Sequence, residues 1–523
     1  MNPTHFPVVF PEVFLRERAG FDVILGNPPW EKARVEEHGF WARFVPGLRG
    51  LNQREREADI PGLRESRPDL VKELEVEVAA ASALRRALSR GPFPGMGTGD
   101  PDLYKAFCWR FWFLVAERGG RIGVVLPRSV LAAKGSEEFR WRVFGEARLT
   151  DATTLLNSGR WAFDMEPRYT VALVAIERGV DADSESAVYL EGPYDSHNAY
   201  NSRPENGGAS FVGEEVLTWN DSASLPLLPT AESAEVFAQL RKTPRLDLDE
   251  PGQWRARPYR EFETYMKDKM KFVEAPPDGH WPIITGRSFD LWEPSSGPEY
   301  AWIDAQVATD HYQGKRLNGS GIGSSVFSEF SGAAIHDSEL NPCLSPRIAF
   351  RDVTRATDTR TVRCALIPGN TICVEKAPVF LFPRGDSRDE AYLLGILSSL
   401  SLDWYARRFV ETGLKVHVIS PFPIPRPDAD GPLYKRVVEL AGRLACPDER
   451  FADWAKGVGV ECGPLEEDEK QDMIDELDAV VAHLYGLTKD HLTHIYETFH
   501  VGWDYHERLD ATREHFNQWM SKA

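Results

Sequence analysis

The chain has 523 residues, 42% of them hydrophobic and 27% charged, with a formal net charge of -19 and six cysteines. That length supports two to four domains with substantial cores, and the balance is that of an ordinary globular protein. No run reaches the ~18 apolar residues of a membrane span, the first residues do not read as a signal peptide, and the scattered cysteines lack any Cys-x-x-Cys pair, so the expectation is a cytoplasmic protein with reduced thiols and no membrane partner. The acidic balance opposes a nucleic-acid partner at first sight, because phosphate neutralisation drives that binding. From Cys446 onward, however, 18 acidic residues stand against 7 basic ones, so most of the excess lies in a tail.

In chain order, the first informative stretch is Phe21 to Trp30. Its apolar, β-branched run closed by Gly26 and a proline pair predicts a buried strand that delivers a stiff loop at its carboxyl end, where ligands bind in open α/β sheets. Pro28 and Pro29 carry no N–H, so the loop offers acceptors without competing donors. The Asn27 carboxamide and the Pro28 carbonyl are then candidates to accept from one exocyclic amine, and Trp30 offers a flat face to a base taken out of the stack. Asn-Pro-Pro can also simply end a strand.

Asn27-Pro28-Pro29-Trp30, with the lead-in His5-Phe6-Pro7 to Phe14 and Phe21-Asp22, resembles the catalytic motif of amino-group DNA methyltransferases in the form favoured by adenine enzymes. The lead-in is similar to that of type IIG restriction-modification proteins and of BREX or DISARM phage-defence methylases. The resemblance implies S-adenosylmethionine as cofactor, double-stranded DNA as substrate, base flipping and direct attack of the adenine amine on the methyl group. It assigns catalysis to Asn27, Pro28, Pro29 and Trp30. In that family the cofactor-binding half comes first, yet only about twenty residues precede Phe21. A separate polypeptide carrying that half is therefore expected. The Gly-rich runs Gly95–Asp100 and Gly319–Gly323 follow no apolar strand and read as loops.

Residues 31 to 90 carry mixed charge, with a helical pattern from Asp69 to Arg90 that reads as a solvated insertion. Asp100 to Phe107 leads into an aromatic helix, Phe107 to Val115, and Arg121 to Pro127 predicts the next buried strand. The family resemblance makes Asp102 and Tyr104 cofactor-binding residues; spacing alone favours core positions for the aromatics. Thr150–Leu156 and Tyr169–Ile176 predict a further strand pair, and the resemblance makes Phe163, in the stretch Phe163–Arg168 between them, a second wall against the flipped base. A core phenylalanine is the alternative.

The polar stretch from Gly179 to about Asn220 reads as a linker or loose loops. Beyond it, Pro346 to Arg363 holds five arginines against two aspartates. Such clusters can hold phosphates or read guanine edges, while a salt-bridged sheet surface is the competing reading. Together with Tyr392–Ser399 and Gly413–Pro425, this region resembles the target-recognition domain of type IIG-like methylases, which makes Arg347, Arg351, Arg355, Arg360 and Lys415 candidate DNA-binding residues. The last stretch is helical, with Met473, Leu477, Val480, Val481 and Leu484 at helical spacing and Gly486 as C-cap. His483, His491, His494 and His500 have no metal-site spacing, and no metal site is expected.

The expected fold is α/β: a partial Rossmann-like methyltransferase sheet (1–180), a linker (181–225), an α/β target-recognition domain (226–428) and a helical C-terminal region (429–523). The expected function is site-specific adenine-N6 DNA methylation in a restriction-modification or phage-defence system, alongside a defence nuclease or helicase as a further partner class. The alternatives are a non-catalytic DNA-recognition subunit and a truncated methylase remnant.

Overall fold

The computed structural model describes residues 5–96, 101–165, 169–179, 187–204, 207–410 and 413–522, with the side chains of Gln53 and Arg54 left aside. Residues 97–100 of the first glycine run and 166–168 of the Phe163–Arg168 stretch lie outside these. The fold is mixed α/β, in two compact units that divide at Ala231 and Glu232.

The first unit is built on a six-stranded sheet of order β1-β2-β4-β3-β5-β6, comprising β1 (Val23–Gly26), β2 (Arg121–Pro127), β3 (Ala147–Leu156), β4 (Thr170–Arg178), β5 (Ala187–Tyr194) and β6 (Ala209–Val212). β1 runs parallel to β2, β4 lies antiparallel between β2 and β3, and β3 runs parallel to β5. The carboxyl ends of β1, β2, β3 and β5 therefore share one end of the sheet. Two helices, α1 (Gln53–Ser66) and α2 (Pro68–Arg90), fill the predicted insertion, and α2 starts on a proline at its first turn, where the missing N–H costs nothing. They enclose a small core of Phe40, Trp41, Leu48, Leu70 and Leu74. The aromatic helix is α3 (Leu103–Leu114), and α4 (Glu137–Glu146) precedes β3.

Two expectations change here. β1 is not a buried strand: Val23 is 56% and Leu25 79% exposed. Ile24 faces Ile122 across the ladder, but β1 is the edge of the sheet and has no neighbour on its other side among the described residues. The region 181–225 is not a linker where it is described. β5 adds to β3, β6 adds to β5, and Val188, Leu190 and Trp219 are buried. Val188 and Leu190 on β5 and Val216 and Trp219 on the short helix Gly213–Trp219 supply buried apolar side chains that the surrounding polar composition concealed.

The second unit contains a four-stranded sheet, β11-β10-β13-β7, and a three-stranded sheet, β12-β8-β9. Their strands are β7 (Arg255–Tyr259), β8 (His280–Ile284), β9 (Ala301–Asp304), β10 (Arg347–Phe350), β11 (Cys364–Ile367), β12 (Ile372–Cys373) and β13 (Val379–Arg384). With α5 (Ala305–Ser320) they share a core that includes Phe262, Ile283, Tyr312, Phe327 and Ile367. The helices α6 (Ser387–Ser398), α7 (Leu400–Arg407), α8 (Pro432–Ala445), α9 (Glu467–Leu484), α10 (Lys489–Glu497) and α11 (His506–Trp519) follow. The C-terminal helices belong to this same compact unit. Gly395 on α6 explains how: a Cβ there would sit 2.6 Å from a Val437 methyl and 3.1 Å from the Ala441 methyl, so only glycine lets α8 approach this closely.

Candidate active site and nucleic-acid interface

Asn27 and Pro29 are exposed, Pro28 is buried and Trp30 is half-buried, directly after β1. Among the described residues no donor meets the Asn27 carboxamide or the Pro28 carbonyl. The loop is fixed beyond Trp30: Leu103 N–H donates to the Glu31 carbonyl at 3.0 Å, and Lys32 bridges Asp102 as an antiparallel neighbour. Ala33 packs with Leu88, Met96 and Ala106, which joins this segment to the end of α2 and to α3. Gly26 lies under α3, its Cβ position 3.1 Å from the Phe111 ring. The Trp30 indole Nε1–H is buried without an acceptor among the described residues.

Phe163 lies beyond the carboxyl end of β3, at the same end of the sheet. Asn157, only 1% exposed, shapes its loop: the carboxamide donates to the Phe163 carbonyl at 2.9 Å and accepts from the N–H groups of Ala162 and Phe163 at 3.2 and 3.1 Å. No ring contact joins Trp30 to Phe163 among the described residues, and their strands are three places apart in the sheet, roughly 14 Å at ~4.8 Å per strand. Sequence reasoning missed Asn157; an asparagine between a strand and Gly159 is a turn signal that marks it.

Asp102 and Tyr104 are close to this end but are less open than expected. Tyr104 is 2% exposed, and its hydroxyl lies 2.9 Å from that of Ser129. Burial pushes the phenol up to about 12, so it stays neutral. Asp102 is the N-cap residue of α3 and lies 3.5 Å from the Lys105 ammonium. Tyr104 is thus a core residue and not a wall of an open pocket. A cleft of about 670 Å³ beside β1 is lined by Phe14, Arg18, Gly20, Phe113 and Arg178, at the opposite end of the strand from Asn27.

In the second unit the candidate cations separate into two groups. Arg347 is interior: its guanidinium meets both oxygens of the fully buried Glu261 at 2.7 Å and also donates to the Thr371 carbonyl. Arg360 pairs with the fully buried Asp403 at 2.6 Å and donates to the Ser398 carbonyl. These two assignments to DNA are corrected by the structure, because their donors already have protein acceptors and exposing them would strand a buried carboxylate. Arg351 is half-buried and donates to the Phe289 carbonyl. Lys415 pairs with Asp352 at 2.9 Å yet remains 39% exposed, and Arg355 is exposed. The histidines serve the scaffold: His483 meets the Phe516 carbonyl, His494 the Ser233 hydroxyl and His500 the Thr357 carbonyl.

No helix among the described residues is long and apolar enough to cross a membrane, and no group of three or more His, Cys, Asp or Glu is placed to hold a metal ion. No protein-family description and no curated protein matches the chain. Among solved structures, the chain is similar to the type IIL restriction-modification enzyme MmeI in complex with DNA, at 12% identity and a TM-score of 0.40, over 91% of this chain and 56% of that one. It is also similar to the type IIG restriction endonuclease BpuSI, at 14% identity and a TM-score of 0.26, over 82% of this chain and 50% of that one. A third likeness is to a nuclease-deletion mutant of the type ISP restriction-modification enzyme LlaGI, at 10% identity and a TM-score of 0.32, over 81% and 41%. The chain thus spans about half the length of the structures it matches.

Proposed function

We propose that the chain is the base-binding and DNA-recognising part of a site-specific DNA adenine-N6 methyltransferase of a restriction-modification or phage-defence system, completed by a separate polypeptide that carries the S-adenosylmethionine-binding half. The observation that carries this reading is the position of the Asn27–Trp30 loop: it leaves the carboxyl end of an edge strand whose outer side lacks a neighbour among the described residues. In a doubly wound sheet, ligands bind at that end and where the strand order turns back.

Within that reading the work of each residue is specific. The Asn27 carboxamide oxygen and the Pro28 carbonyl accept both hydrogens of the adenine amine, which keeps the nitrogen lone pair out of the ring and directed at the methyl donor. Trp30 supports the flipped base, and stacking of this kind is worth ~1 to 3 kcal/mol per base. S-adenosylmethionine supplies a methyl group on a sulfonium centre when bound. The described residues do not by themselves fit that cofactor: Tyr104 is enclosed, and no described strand leads into a glycine-rich turn followed by a ribose-binding acid.

The test is transfer of tritium from labelled S-adenosylmethionine to mixed-sequence duplex DNA, with this chain alone and with the product of the neighbouring upstream gene. Label that requires both proteins and disappears in Asn27→Ala, with DNA binding retained, supports the proposal. Salt-sensitive DNA binding without label in either sample overturns it in favour of a recognition subunit.

A further inference from the structure

The connection between β10 and β11, residues 351–363, has no regular structure of its own, yet it is tied down along its inner side. Arg407, 5% exposed, donates to the carbonyls of Ala356, Asp358 and Thr359 at 2.6 to 2.8 Å. The Asp403 carboxylate accepts the N–H groups of Thr361 and Val362. Arg363 reaches Asp290 at 2.7 Å, and His500 lies 3.0 Å from the Thr357 carbonyl. A long connection held this firmly in a compact unit is a functional element and not a slack one.

Its outer side is open. Val353 is 54% exposed, and Arg355, Thr357 and Thr359 are exposed. Among the described residues no acceptor meets the Arg355 guanidinium. At the root of the loop one buried acid, Asp352, lies beneath two outward cations. Arg260 and Lys415 converge on Asp352 at 3.9 and 2.9 Å; the carboxylate is 2% exposed, while the cations are 41% and 39% exposed. Arg287 and Lys376 are exposed beside them, on a turn so close that a Cβ on Gly286 would meet the Lys376 carbonyl and the Arg351 side chain. Burial lowers the pKa of Arg351, and Arg363 and Arg287 add like-charge repulsion against the pull of Asp290. An outward-facing set of cations on a chain of net charge -19 marks a surface for a polyanion.

We propose that the 351–363 loop is a preformed reading element for duplex DNA, with Val353 and Arg355 placed to meet base edges and Arg260, Arg287, Lys376 and Lys415 placed to hold the phosphates around it. The proposal rests on the DNA reading given above and goes further, because it names the residues that set sequence preference. A loop already ordered in the free protein spares the entropy of ordering on binding. An arginine fork reads guanine bidentately, and an apolar tip suits the thymine methyl. Lys376 and Lys415 contribute only charge.

The experiment is selection of a randomised duplex pool on the full chain, followed by anisotropy titrations of selected and unselected duplexes at several salt concentrations. Arg355→Lys should keep most of the affinity and lose preference at one base position, because lysine retains the charge without the fork. Lys376→Ala should weaken binding to all duplexes alike and reduce the salt slope by about 1. An unchanged preference in both Arg355→Lys and Val353→Ala, with duplex binding intact, overturns the loop assignment while sparing the DNA reading. Failure of the unaltered chain to bind any duplex overturns both.

Discussion

Leu103 donates its backbone N–H to the carbonyl of Glu31 at 3.0 Å, and this bond couples the loop after β1 to the first turn of α3. Leu103→Pro removes that donor at a first-turn position where proline suits the helix, and Asp102, at ψ 143, already has the extended backbone that a following proline needs. The variant should fold with a loss of about 1 kcal/mol plus some packing. Under the proposed function, methyl transfer should fall at least tenfold while duplex affinity holds. Unaltered transfer would show that the loop does not need this anchor.

Asn157→Ala should leave the Phe163 carbonyl and two N–H groups without their partner. The expected cost is about 1 to 3 kcal/mol, read as a lower Tm and as faster proteolysis in the 157–165 segment. With a fluorescent adenine analogue at the target position, the same variant should show a weaker flipping signal. Asn157→Asp keeps the acceptor and should fall between the two.

Val23 and Leu25 expose apolar surface on a strand whose outer edge has no partner among the described residues, an arrangement that promotes self-association when nothing covers it. Leu25→Lys should make the isolated chain less prone to aggregate, measured by light scattering. It should also abolish rescue of methylation by the second polypeptide. Rescue at the unaltered level would place the partner elsewhere.

Arg347 and Glu261 form a buried pair, so Arg347→Ala should lower stability by about 3 to 5 kcal/mol by leaving Glu261 unpaired. Whatever DNA binding it loses should track unfolding, followed by circular dichroism across denaturant. A selective loss of DNA affinity in a stably folded variant would return Arg347 to the interface.

Asp478 is 2% exposed; it accepts from the Leu400 N–H at 2.7 Å and from Arg508 at 3.1 Å. Burial pushes its carboxyl up to about 6, from an ordinary value of 3.8. The folded state then holds this proton more tightly than the unfolded chain. The stabilisation is complete below the ordinary value and is lost as pH rises through about 6. Comparing Tm at about pH 5 and about pH 7.5, Asp478→Asn should lose less than the unaltered chain, since asparagine keeps the acceptor for Leu400 and cannot ionise.

The sequence by itself determined the strands at Arg121–Pro127, Thr150–Leu156 and Tyr169–Ile176, the helix from Asp69, the body of the aromatic helix from Phe107, which the structure starts earlier at Leu103, and the stiff proline loop after Gly26, because periodicity and the chemistry of Gly and Pro act locally. It also marked the arginine-rich run at 346–363. Tertiary structure alone decided which of those arginines face solvent. Arg347 and Arg360 have Glu261 and Asp403, distant in sequence, behind them, whereas Arg355 lies on the exposed side of the 351–363 connection. The same holds for β1, whose composition suits the middle of a sheet. Among the described residues β1 is paired on one side only, and Val23 and Leu25 project from the face opposite the one that α3 covers at Gly26; strand order and face coverage are properties of contacts between distant segments that no local pattern encodes.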